Sequence, residues 1–207
     1  MHTFRGVVVV YVAKHAMWFS LLAMMIFSGC ASLTGHGGQI ETRSATQPTA
    51  LKGTLRTAVH AEGTASQAEI YLSDLPADQL RAWIDPGTLS GQIIHISVLI
   101  TPRAGRTPVD EQACTAAIRQ IIFARGEWGV YAGGGFVDLK GTPGARQISG
   151  SLRNATLKFQ GGTPGFVDRL GSSTMQGTFA AMHDRPAAQQ LGGRLEQAAL
   201  VAKTPSP

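Results

Sequence analysis

The chain has little charge, few cysteines and no recognisable catalytic signature, and each shortage removes a class of function. Asp, Glu, Lys and Arg supply only 15% of the 207 residues, and the net charge is +5. The basic side chains, among them Lys52, Arg103, Arg119, Arg146 and Arg153, are dispersed without a run or stripe, so the footprint of a nucleic-acid binder is missing. The only cysteines are Cys30 and Cys114, too few for a disulfide framework. The six histidines show no metal-ligand spacing, and the sequence gives no reason to expect a metal or another cofactor. There is no Gly-x-Ser-x-Gly elbow. The apolar blocks Gly6 to Ala13 and Ala16 to Phe27 are split by Lys14-His15. Neither block alone reaches the roughly 20 residues that a membrane-spanning helix needs.

What is present at the N-terminus is ordered. Arg5 and Lys14 precede the apolar run Ala16 to Phe27, Ser28-Gly29 supplies two small side chains, and Cys30 follows. The stretch resembles the signal peptide and lipobox of a bacterial lipoprotein, with Phe27 where that family usually has leucine. The resemblance implies removal of residues 1–29, lipidation of Cys30, and attachment of the mature chain to a membrane through that lipid. Ala31, rather than an aspartate, implies the outer membrane, with the domain facing the periplasm. The mature chain would keep 178 residues, with 16 basic and 13 acidic side chains. Without processing, the first thirty residues would remain as an anchor. Acylation of Cys30 leaves Cys114 without a partner in the chain, and its apolar surroundings in ACTAAIRQIIFA suggest a buried thiol.

Residues 30–50, the cysteine and the small polar stretch after it, have the composition of a flexible tether. From Leu51 the pattern has a period of two. Ala68, Ile70 and Leu72 alternate with Gln67, Glu69 and Tyr71. Ile94, Ile96, Val98 and Ile100 alternate with Ile93, His95, Ser97 and Leu99, as in a strand covered on both sides. Residues 113–125 alternate through Cys114, Ala116, Ile118, Ile122 and Ala124, with Gln120 breaking the set. Gly133 to Gly135 marks a bulge or bend, and the two Gly-Thr-Pro-Gly copies, at 141–144 and 162–165, mark tight reversals. The one helical turn expected is Ala77 to Ile84. LEQAALVAK near the C-terminus has helical propensity, but SGSLRNATL, from Ser149, aligns with GGRLEQAAL, from Gly192, and that match assigns both to strands. The expected fold is all-β: a single antiparallel β-sandwich or up-and-down barrel of about eight strands with one short helix, over residues 51–202, and a loose tail at 203–207.

His95 is the leading candidate, an ionisable ring in an isoleucine-rich strand that a barrel could turn into its cavity. Trp128, Tyr131 and Phe136, in the glycine-rich segment, could present aromatic faces to a hydrophobic or saccharide ligand. The bland reading makes all four core or hydrogen-bonded residues. A hydrolase would need Asp138, Asp168 or Asp184 to converge on His95. The favoured expectation is a non-catalytic envelope lipoprotein that binds such a ligand or an envelope protein; a hydrolase and a purely structural envelope subunit are the alternatives.

Overall fold

The computed structural model describes residues 37–63, 67–83, 85–100 and 114–203. The signal peptide, Cys30, the polar loop from Arg103 to Asp110 and the last four residues lie outside them. Among the described residues nine strands form one sheet: β1 (Gly37–Ser44), β2 (Ala50–Leu55), β3 (Thr57–Ala61), β4 (Ala68–Ser73), β5 (Gly91–Val98), β6 (Ala116–Ala124), β7 (Glu127–Lys140), β8 (Gln147–Gly162) and β9 (Ser173–His183). Among the described residues the helices are α1 (Ala77–Ala82) and α2 (Arg185–Lys203), with a single 3-10 turn at Pro86–Thr88.

The sheet closes on itself through β9. One edge of β9 pairs with β8; the other pairs with β1 and then, at Val59↔Met182 and His60↔His183, with β3 in parallel. The other pairings are antiparallel. Strands β3 through β9 therefore make a barrel, and β1 with β2 adds a hairpin on the seam. Closure leaves the ring of strands without a free edge, the usual liability of an all-β domain.

Two cores follow from the alternation along the strands. Ile70, Leu72, Ile94, Ile96, Ile118 and Leu157 belong to the interior core. Tyr71, Ile93, Ile121, Phe123 and Val130 face outward and pack with Leu191, Leu195 and Ala198 of α2. β5 is buried on both faces, as its isoleucines predict: Ile93 and Ile94 are both fully buried. The β6–β7 turn is Arg125-Gly126, with φ of +56° and +84°, the left-handed pair a two-residue hairpin requires. The triple glycine admits β8 at close range. A Cβ on Gly133 would sit 1.9 Å from the Thr156 carbonyl oxygen, and the register shifts between Gly134 and Phe136.

Four expectations are corrected. The C-terminal segment is helix α2, not a strand. Asp184 caps it, its Oδ1 accepting from Ala187 N at 3.0 Å, and Ala188, Leu191, Leu195, Ala198 and Ala202 form its buried stripe. The short match to Ser149–Leu157 carried no information about that 3.6-residue period. The stretch expected to be a flexible tether contains a strand, because β1 falls inside it. Ile40, Thr42 and Ser44 are buried there, and pairing with β2 and β9 supplies what the sparse apolar pattern did not. Cys114 is exposed: it precedes β6, and its thiol donates to the Ala116 carbonyl at 3.3 Å. Gln120 does not break the inward face of β6; it is fully buried on it.

Candidate functional site

The β1–β2 loop, the β6–β7 hairpin and the β8–β9 loop meet at one mouth of the barrel around a cavity of about 480 Å³. Its walls are largely apolar, with Leu51, Ile122, Tyr131, Phe166, Val167 and Leu170 among them. Phe166 is placed by its neighbours. A Cβ on Gly129 would lie 2.2 Å from the Phe166 ring, so the bare backbone of β7 makes room for it. The ring stacks on Phe159 at 5.9 Å, and Phe159 contacts Tyr131 at 5.3 Å.

Tyr131 and Asp168 shape the inner wall and the loop above it. The Tyr131 hydroxyl donates to Asp168 Oδ1 at 2.6 Å, and the same oxygen accepts from Leu170 N at 3.0 Å and Gly171 N at 2.8 Å. Burial, then the Asp168 carboxylate, pushes the Tyr131 phenol well above its ordinary pKa, so it stays a donor. Across the ladders from Tyr131, Ile122 and Leu51 stand Gln120, Gln92 and Thr42. Gln120 Nε2 donates to Gln92 Oε1 at 2.6 Å and to Thr42 Oγ1 at 3.1 Å, a polar belt crossing the interior. Gln92 Nε2 is buried without a hydrogen-bond partner. It occupies the space a side chain on Gly53 would need, 2.2 Å from that position.

The rim is charged. Arg125 and Arg169 line the cavity and are exposed, as does Glu127, whose Oε2 accepts from Gly165 N at 3.3 Å. A larger depression of about 630 Å³ lies on the flank formed by β1, β2, β8 and β9. Its carboxylate, Glu41, is already paired with Arg43 at 2.7 Å and Lys52 at 3.8 Å.

Of the four residues singled out from the sequence, Tyr131 alone reaches the mouth cavity. His95 faces outward, beside Tyr71 on the outer side of the barrel. Its Nε2 donates to Glu69 Oε2 at 2.5 Å, and its ring stacks on Tyr71 at 4.6 Å. The alternation was read correctly; which face is inside was not in it. Trp128 lies under α2, where its indole N–H donates to the Ala198 carbonyl at 3.0 Å. Phe136 is half-buried and alternates with Val137 and Leu139 of the interior core, so it is on the outer side of β7. Nor do the aspartates meet His95: Asp168 serves Tyr131 and Asp184 caps α2. Phe166 and Arg169 went unremarked in sequence, although the second Gly-Thr-Pro-Gly reversal, which delivers both to the mouth, was legible.

At the barrel seam, His60 and His183 approach edge to face at 5.3 Å. His60 is fully buried; its Nε2 donates to the Ala145 carbonyl at 3.1 Å, and its Nδ1 has no hydrogen-bond partner. Burial, then His183, lowers its pKa. His183 and Arg185 both donate to Glu62 Oε2, at 3.1 and 2.9 Å. Among the described residues, no group of three or more His, Cys, Asp or Glu side chains is arranged to hold a metal ion.

The fold and site thus define a small closed β-barrel with an external helix and an apolar cavity at one mouth. Comparison with family models, curated proteins and solved structures finds no match.

Proposed function

We propose that this chain is a cell-envelope lipoprotein, anchored through Cys30, whose barrel is a non-catalytic binding module for a hydrophobic ligand. The observation that carries the binding reading is the mouth cavity. At about 480 Å³, with apolar walls and a few fixed polar groups, it matches the usual dimensions and lining of a small-molecule site. A saccharide reading has less support, because the Trp128 ring that would serve as a platform is packed under α2. The anchor rests on the resemblance of residues 16–30 to a lipobox.

Each half has its own test. Intact mass and detergent partitioning of the wild type should show loss of residues 1–29 and a lipid adduct, both absent from Cys30→Ser; a wild type that behaves like the variant sinks the anchor. For the cavity, the full-length protein in membrane vesicles is irradiated with an uncharged diazirine-bearing hexadecanol. Labelling should fall on residues 122–127 and 165–170 and be lost in Ala124→Trp, which fills the mouth from an exposed position. Labelling that avoids those segments, or survives the substitution, refutes the binding site.

A further inference from the structure

Resting on the binding reading, we infer that the ligand is a single-chain amphiphile ending in a carboxylate, with its chain in the mouth cavity and its head held by Arg125 and Arg169. The volume suits one chain. The cavity, about 480 Å³, is in the lower part of the range of roughly 300–1,000 Å³ for small-molecule sites. The polar belt of Thr42, Gln92 and Gln120 beside its walls puts hydrogen-bonding groups, rather than open apolar space, in the adjoining interior.

The charge at the rim sets the head group. Three charged side chains line the cavity, two guanidiniums and one carboxylate, and the carboxylate of Glu127 is turned to the Gly165 amide. The nearest other acid in sequence, Asp168, accepts from Tyr131, Leu170 and Gly171. Three arginines of the domain pair with acids, Arg43 with Glu41, Arg119 with Glu196 and Arg185 with Glu62, while Arg56, Arg81, Arg146, Arg153 and Arg194 do not among the described residues but lie outside this cavity's lining. Among the described residues Arg125 and Arg169 have no such salt bridge. Arg125 also occupies a left-handed position, φ +56°, where asparagine, aspartate or glycine would be less strained. Local turn chemistry therefore does not explain an arginine there; a fork of N–H donors over an apolar cavity does, since guanidinium binds carboxylate in bidentate geometry.

The test repeats the photolabelling of full-length protein in vesicles with diazirine-bearing hexadecanoate beside the hexadecanol. The carboxylate should label residues 122–127 and 165–170 about tenfold more efficiently than the alcohol, the scale of one charge-assisted contact. Arg125→Ala/Arg169→Ala should bring carboxylate labelling down to the level of the alcohol, and Arg125→Lys/Arg169→Lys should restore most of the preference. Equal labelling by both probes, or a double-alanine variant that keeps the preference, overturns the carboxylate inference and leaves the binding reading standing. Absence of cavity labelling by either probe overturns both.

Discussion

Replacing Tyr131 by phenylalanine removes one oxygen and tests how the mouth of the barrel is held. The ring is 1% exposed, and its hydroxyl donates to Asp168 over 2.6 Å. A hydrogen bond to a charged group contributes about 1.5–3 kcal/mol. Asp168 Oδ1 keeps the Leu170 and Gly171 amides as donors and the residue is half-exposed, so the carboxylate is not orphaned. The lower part of that range applies, about 1.5–2 kcal/mol. For a domain of this size the melting temperature should fall by about 3–8 °C. The assay is thermal denaturation followed by circular dichroism, with Asp168→Ala alongside. That variant strands three donors and should cost more than Tyr131→Phe. Alkaline difference spectroscopy gives a second readout. Burial raises Tyr71 to about 12 and raises Tyr131 further, with help from Asp168. A phenol whose pKa is higher folded than unfolded stabilises the fold below about 10, and that contribution is lost as pH rises through the folded value. Neither ring should ionise near pH 10 while the barrel is intact. A Tyr131→Phe melt indistinguishable from wild type, or tyrosinate absorbance at pH 10 in folded protein carrying Tyr11→Phe, would refute the account of this wall.

In α2, Gly193 has open space where a Cβ would go, whereas one on Gly192 would lie 2.7 Å from the Tyr71 hydroxyl. Gly193→Ala should therefore stabilise by about 0.5–1 kcal/mol, and Gly192→Ala should destabilise unless Tyr71 shifts; melts that rank them the other way contradict the packing of the helix. The lowered pKa of His60 means the unfolded chain takes up its proton first as pH falls below about 6.5, so stability declines from there down to the folded value. Ring-proton NMR should place the His60 midpoint below 6.5, and a midpoint at or above it would contradict the burial argument. Cys114 should react with a maleimide in the native protein at a rate close to that in urea; protection in the native state would contradict its exposure.

Alternation and turn chemistry determined much of this molecule locally. Period-two runs specify β4, β5 and β6, the Gly-Thr-Pro-Gly copies mark the ends of β7 and β8, and the buried pair Ile93 and Ile94 was foreseeable from a strand apolar on both faces. Cys30 owes its proposed fate to sequence alone. Tertiary structure decided the rest. An alternating strand has two faces, and only closure through β9 says which is interior; that choice sends Tyr131 to the cavity, His95 to the outer face and Trp128 beneath α2. The same closure recruits β1 from a stretch too polar to be read as a strand, since its backbone hydrogen bonds to β2 and β9 do not depend on side-chain hydrophobicity. The site is assembled from three loops distant in sequence, and no local pattern encodes their meeting. α2 reversed the strand assignment because its apolar stripe at helical spacing had an outer barrel face to bury against.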